Sequence, residues 1–276
     1  MKKNQVLKLF NFSRLSALLL ISIAFLGSCS QEEDTLWDLV ELSSNNSSLA
    51  LMFSSSNIPP AGDYGLPVID SMKNNLTTGV TGGDQLFYLS LYPQVSDPLY
   101  SPIAEKFKFK YDENGNNSLS NFPAFVANTK NYNYELDSFK MNLKEQELKK
   151  PKISVGNLLK LNGSVLEMYV KVRYNDFYFD PHSVVVYMYE KTKVASQETI
   201  SNGTVTNFVH KNVLLDFVNN ENGDIFSEAI QYGHERELQY KYNIADNNID
   251  NIGVLTVVYS LNSANQQNGV LAVYSN

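Results

Sequence analysis

Hydrophobic positions along this chain change their period near Pro151, and the change divides the sequence into two patterns. Before Pro151, short apolar runs alternate with helical spacing. Leu49 to Phe53 reads as a buried strand, and Leu66, Ile69, Met72 and Leu76 then recur at helical intervals behind Pro67, a residue suited to a helix's first turn. Leu86 to Leu91 is a second buried strand, Leu99, Ile103 and Phe107 share a helical face, and Ala124 to Ala127 is a third strand. A last helix runs from about Glu135 to Lys149, with Leu136, Phe139 and Leu143 inward and Glu145 four residues before Lys149. Pro151 ends it. Such alternation predicts an α/β domain with a central sheet over residues 47–150.

Beyond Pro151 the period is two. Leu166, Met168, Val170, Val172 and Tyr174 alternate with Glu167, Lys171 and Arg173, and Leu238, Tyr240 and Tyr242 alternate with Glu237, Gln239 and Lys241. Further strands are expected at Ile153 to Leu161, Ser183 to Glu190, Asn207 to Phe217, Gly253 to Ser260 and Val270 to Tyr274. Asn162-Gly163, Asn202-Gly203 and Asn222-Gly223 punctuate them with residues that tolerate positive φ. About seven short strands with these turns predict an antiparallel β-sandwich over residues 151–276. No internal repeat is visible.

The first residues carry a different signal. Lys2, Lys3, Lys8 and Arg14 form a basic leader, and Leu15 to Leu26 follow as an apolar run that ends in small residues, the order of a secretory signal over residues 1–28. A membrane-spanning anchor is the alternative, but the run falls well short of the roughly 20 residues a crossing helix needs. Leu26-Gly27-Ser28-Cys29 resembles the lipobox of bacterial lipoproteins, which implies cleavage before Cys29 and a lipid on its sulfur. Two or more acyl chains hold a protein on its membrane, whereas one binds marginally.

Residues 29–46 then read as a solvated tether. Its Ser30-Gln31-Glu32-Glu33-Asp34 string resembles the acidic export tag of Bacteroidota lipoproteins, which implies the outer membrane and its outer face, with the periplasmic face as the alternative. Asp34-Thr35-Leu36 and Asp70-Ser71-Met72 resemble the O-glycosylation triplet of exported Bacteroidota proteins, and Thr35, in the tether, is the better acceptor.

Charge narrows the partners. Four of the 22 Lys and Arg residues lie in the leader, leaving 18 against 29 Asp and Glu, a net charge of about −11. A phosphate backbone meets repulsion in that field, so no nucleic-acid partner is expected. The cluster Lys140, Lys144, Lys149, Lys150 and Lys152 reads as the polar face of a helix. Exported proteins often use disulfides, but Cys29 is the sole cysteine and is expected to carry lipid.

Around Phe53 the first half resembles a thioredoxin fold: a strand, a loop, a helix, and later Phe122-Pro123 directly before another strand, with Pro123 as the candidate cis-proline. On the family pattern, Ile58 and Ala61 of the loop Phe53-Ser54-Ser55-Ser56-Asn57-Ile58-Pro59-Pro60-Ala61 fall at the two cysteine positions of C-x-x-C. Disulfide exchange needs an attacking thiolate and a resolving sulfur. Neither side chain supplies one, so a redox-inactive domain is expected.

The whole chain resembles the twenty-eight-kilodalton outer-membrane lipoprotein family of Bacteroidota, through Tyr189-Glu190-Lys191 leading to Gln197, Phe208 to Leu214, Ile252 to Tyr259, and Val270 to Tyr274. The family joins a thioredoxin-like domain to a C-terminal β-sandwich. This chain departs from it by lacking the cysteine pair and by carrying Leu215 where an arginine is expected. The resemblance implies a surface-associated lipoprotein with a role in adhesion or ligand capture.

Nothing in the sequence marks an enzyme. His182, His210 and His234 lack metal-ligand spacing, and His210 reads as a hydrogen-bonded framework residue of a strand. Asp112 to Asn117 and Asp246 to Asp250 resemble calcium loops in composition, but in the first the glycine stands fourth rather than sixth. No phosphate loop, G-x-S-x-G elbow or H-E-x-x-H string occurs, so no catalytic residue, metal or cofactor is assigned. Tyr174, Tyr178, Tyr187, Tyr189, Tyr232, Tyr240 and Tyr242 suit half-buried strands, and exposed ones would stack on sugars or anchor a protein. The expected function is a non-enzymatic binding or adhesion module, held to the membrane through Cys29 and taking a glycan or protein ligand. The alternatives are a structural subunit of an outer-membrane complex and an enzyme with an unrecognised site.

Overall fold

The computed structural model describes residues 36–43, 48–77, 86–112, 122–133, 135–147, 150–244 and 249–276. Cys29 and Thr35 lie outside the described residues, as do most of both calcium-like strings. By its internal contacts the chain forms two units, Met1–Leu39 and Val40–Asn276. Of the first, the described part is a helical turn at 36–38. All that follows concerns the second.

Its elements, in chain order, are β1 (Ser48–Phe53), α1 (Pro59–Tyr64), α2 (Leu66–Thr77), β2 (Leu86–Leu91), α3 (Pro102–Tyr111), β3 (Ala124–Ala127), β4 (Lys130–Asn133) and α4 (Leu136–Glu147). They continue with β5 (Ile153–Asn162), β6 (Val165–Tyr174), β7 (His182–Thr199), β8 (Gly203–Phe217), β9 (Asp224–Phe226), β10 (Glu235–Asn243), β11 (Ile252–Leu261) and β12 (Gln267–Ser275). Local chemistry sets several boundaries. Ser101 caps α3 by accepting from the Ala104 N–H, Pro102 follows at the first helical position, and Lys108 and Lys110 sit in the last turn, opposite the dipole's negative end. Gly163 and Gly203 turn the β5–β6 and β7–β8 hairpins, and Gly223 the β8–β9 connection, with φ of 63°, 63° and 72°.

Within the first half, β2 lies parallel to β1, β3 antiparallel to β1, and β4 antiparallel to β3. Strand alternation sends Leu49, Leu51 and Phe53 to one face of β1, and Ala50 and Met52 to the other. Ile69 and Met72 of α2 pack on the second face with Phe139 and Leu143 of α4. Phe107 and Tyr111 of α3 pack on the first. The expected α/β layering is present.

Pro151 separates two sequence periods but not two sheets. One sheet runs β12-β11-β7-β8-β2-β1-β3-β4, with β9 paired to β7, and joins the halves where Ser90 of β2 lies parallel to Val213 of β8. Ser90 Oγ donates to the Lys211 carbonyl at 2.7 Å across the same junction. Helix α3 bridges the halves as well: the Phe107 ring lies 6.0 Å from Tyr187 of β7 and 5.5 Å from Phe217 of β8. Among the described residues every strand pair within 151–276 is antiparallel, as expected for that half, and the parallel contact with β2 makes the larger sheet a mixed one shared by both halves. Its facing partner is the three-stranded antiparallel sheet β10-β6-β5. Met168, Val170 and Val172 of β6 pack there against Val184 and Val186 of β7 and Val254 and Val258 of β11. Each large side chain buried this way contributes about 1.5–3 kcal/mol.

Strands β7 and β8 outrun the core. Their paired distal parts, from Thr192 opposite Lys211 to Thr199 opposite Gly203, form a two-stranded arm. The strand expected from Ser183 to Glu190 thus continues to Thr199.

Candidate functional site

The loop from Ser54 to Ile58, between β1 and α1, is where the sequence points to vanished redox chemistry. Ile58 takes an extended conformation at the cap of α1, and Pro59 and Pro60 open the helix. Ala61 is 3 % exposed and joins Phe53, Phe122 and Ala124 in one apolar cluster, against which Ile58 packs. The Phe122–Pro123 peptide bond is cis, and Ala124 beyond it pairs with Phe53. Ile58, Ala61 and the neighbours of Pro123 thus converge on one spot, and its chemistry is hydrocarbon.

Beneath the loop lies a buried carboxylate that sequence reading missed. Asp97 is 4 % exposed and its Oδ2 accepts from the Ser56 N–H at 2.6 Å. Its Oδ1 accepts from Ser56 Oγ and from the Leu99 N–H, both at 2.9 Å. Ser55 Oγ lies 3.0 Å from Asp97 Oδ2 and 2.9 Å from Gln94 Oε1, and its single proton serves one of them. A buried charge so fully hydrogen-bonded acts as a clamp on the loop.

Beside it, the Tyr92 hydroxyl and His210 Nδ1 are 2.8 Å apart, with both side chains almost wholly buried. Burial pushes the Tyr92 hydroxyl well above its ordinary range, helped by the Asp97 charge, and pulls the His210 imidazole down, against a smaller upward pull from Asp97. Serine, histidine and aspartate are therefore neighbours, yet not in the relay acyl transfer requires. That relay runs from nucleophile to histidine to carboxylate. Here the carboxylate holds the serines directly and the imidazole faces a tyrosine.

The arm closes the site from above. Glu198 N–H donates to the Ser56 carbonyl at 2.8 Å, and Gln197 Nε2 to the Ser55 carbonyl at 3.2 Å. At the arm's tip Ile200 N–H and Ser201 Oγ donate to the two Asp63 oxygens at 2.5 and 2.7 Å. These two bonds, the Ser201 hydroxyl first, hold the Asp63 carboxyl below its ordinary range. Gly62 permits the approach: a Cβ there would stand 2.7 Å from the Glu198 carbonyl oxygen and 2.8 Å from Thr199 Cγ2. Ser54, Ser55 and Ser56 are each at most 3 % exposed beneath this cover.

The remaining histidine in the core is also structural. His182 Nε2 is 2.7 Å from the Tyr174 hydroxyl, and the ring packs edge-on against Tyr178. Among the described residues no three His, Cys, Asp or Glu gather as a metal-ligand set, and no helix is long and apolar enough to cross a membrane.

No protein-family model and no curated protein matches the sequence. Among solved structures, HBP35 of Porphyromonas gingivalis, a protein from the Bacteroidota, superposes with a TM-score of 0.63 at 12 % identity, over 86 % of this chain and 76 % of that one. The chain shares that fold. A penta-heme cytochrome c552 from Thermochromatium tepidum and a β-glucosidase from Kluyveromyces marxianus match at 11 % identity with TM-scores of 0.25 and 0.23. They cover 45 % and 47 % of this chain, and 39 % and 14 % of their own.

Proposed function

We propose that this chain is a non-enzymatic, lipid-anchored binding module of the Bacteroidota cell envelope, built on a thioredoxin-like domain whose redox chemistry has been replaced by a structural joint. The observation that carries the reading is the arm bonded over Ser55, Ser56 and Asp63, which buries the very loop a thioredoxin-like protein exposes. The strand order β2-β1-β3-β4, with β1 and β2 parallel, helices on both faces and Pro123 opposite the loop, supports the thioredoxin-like comparison. Ile58 and Ala61 at the former cysteine positions support the loss of activity.

Fold likeness to a Bacteroidota protein agrees with membership in the twenty-eight-kilodalton lipoprotein family, and the lipobox-like Leu26-Gly27-Ser28-Cys29 argues for lipid on Cys29. The acidic string after Cys29 argues for the outer face of the outer membrane. A glycan or protein is the ligand class such a module serves. Protease treatment of intact cells, followed by mass spectrometry of the residual chain, tests the reading. Loss of the folded part is expected, with a Cys29 peptide left behind that carries a diacylglyceryl thioether and an acylated amino terminus. A protected chain, or an unmodified Cys29 thiol, overturns it.

A further inference from the structure

Away from the sealed loop, a groove of about 1470 Å³ opens between the last turns of α3, the β3–β4 turn and the β11–β12 turn. It is larger than the roughly 300–1,000 Å³ of a site for one small molecule. Its walls differ in chemistry. Phe107, Phe109 and Tyr111 line the α3 side, and Phe109 stands at the surface with 68 % of its area exposed. Asn265, Gln266, Gln267 and Asn268 line the opposite side.

The amide wall is held in place. Lys110 Nζ donates to Gln267 Oε1 at 2.8 Å, and Gln267 Nε2 donates to the Glu221 carbonyl at 3.1 Å, so one side chain spans the floor from α3 to the β8–β9 connection. The turn above it is tied by Asn262 Oδ1, which accepts from the Ala264 and Gln266 N–H groups at 2.9 Å each. Lysines 106, 110 and 130 are nearly balanced by Glu135 and Glu221. Lys110 is spent internally, on Gln267 and within 5.9 Å of the centres of the Phe107 and Tyr111 rings. The groove therefore offers little unspent positive charge to a polyanion.

A ligand that suits such walls has apolar faces and an edge of groups that both donate and accept. A sugar ring has both: its C–H face stacks on an aromatic ring, and its hydroxyls pair with amides, which present donor and acceptor in one plane. We propose that this groove binds a neutral oligosaccharide, with Phe109 as the stacking platform and Gln267 as the fixed hydrogen-bonding group. The proposal rests on the binding-module reading and supplies its ligand class.

The test is electrophoresis of the detergent-solubilised full chain through native gels cast with laminarin, xyloglucan, galactomannan or soluble starch, beside a heparin gel. Retardation by at least one neutral polysaccharide is expected. Phe109→Ala and Gln267→Ala are each expected to weaken it about tenfold, the scale of one stacking contact or one good hydrogen bond, and Phe109→Ala, at an exposed side chain, leaves the unfolding midpoint unchanged. Retardation by heparin alone, or by none of the gels, overturns the proposal. Retardation that survives both substitutions overturns the groove as the site while leaving the binding module standing. Protease accessibility on cells decides that broader reading separately.

Discussion

Replacing Asp97 with alanine is the sharpest test of the clamp beneath the Ser54–Ile58 loop. The carboxylate takes hydrogen bonds from the Ser56 N–H, Ser56 Oγ and Leu99 N–H, with Ser55 Oγ as a fourth donor within reach. In Asp97→Ala the hydroxyls are able to turn away, Ser55 toward Gln94. The two backbone N–H groups cannot, and Ser56 and Leu99 are only 2 % and 5 % exposed. A buried unsatisfied donor costs about 1–3 kcal/mol, so the pair plus the lost carboxylate contacts come to about 3–5 kcal/mol. That is a large share of the roughly 5–15 kcal/mol that holds a folded protein. Asp97→Asn keeps one acceptor oxygen. Because each Asp97 oxygen serves one backbone N–H, the amide strands one of them whichever way it turns, for a loss of about 1.5–3 kcal/mol. Urea unfolding followed by circular dichroism measures both variants. Hydrogen exchange at Glu198 reports whether the arm loosens with the loop it bonds. A loss under about 1 kcal/mol for Asp97→Ala, or unchanged protection at Glu198, refutes the clamp.

Four further outcomes are expected. Burial lowers the His182 and His210 pKa values, so their contribution is complete above the unfolded value near 6.5 and is lost as pH falls below it, at up to about 1.4 kcal/mol per pH unit for each; flat stability between pH 7.5 and 5.5 contradicts this. At Gly156 a Cβ would stand 1.8 Å from the Glu41 carbonyl oxygen, so Gly156→Ala must displace that segment, at about 2–4 kcal/mol in a urea titration. Phe107→Ala should cost about 3–5 kcal/mol in one cooperative transition; two separate transitions would mean the halves unfold independently. Placing a C-x-x-C string there with Ile58→Cys and Ala61→Cys should leave insulin reduction at its uncatalysed rate, and turnover would show the arm is no seal.

Strands whose two faces meet ordinary surroundings were legible. Met168, Val170 and Val172 face the core while Glu167 and Arg173 lie on the opposite face, and the alternation follows from the pleat alone, although Lys171 on that face is itself buried. Short elements carried no such signal: α1 is a single helical segment of six residues, and β4 and β9 have four and three, too few to display a period. The change of period at Pro151 was real, but one sheet continues across it. Periodicity reports what each strand faces, whereas the parallel contact between Ser90 and Val213 joins residues more than a hundred positions apart.

The arm was invisible for a related reason. In Lys191-Thr192-Lys193-Val194-Ala195-Ser196-Gln197-Glu198-Thr199 the inward face meets a loop backbone rather than a hydrophobic core, so its buried members are Gln197 and Thr199. Their amide and hydroxyl satisfy carbonyls at Ser55 and Gly203, which an apolar side chain would leave unpaired. A polar string of this kind reads as loop by every local criterion. Asp97 was hidden likewise, since Ser96-Asp97-Pro98 has the composition of a surface turn and only the fold brings Ser55 and Ser56 to its oxygens. What could be read was the absence of sulfur at Ile58 and Ala61. What could not was the cover beside them: the Ser55 carbonyl accepts from Gln197 of an arm more than a hundred positions away along the chain.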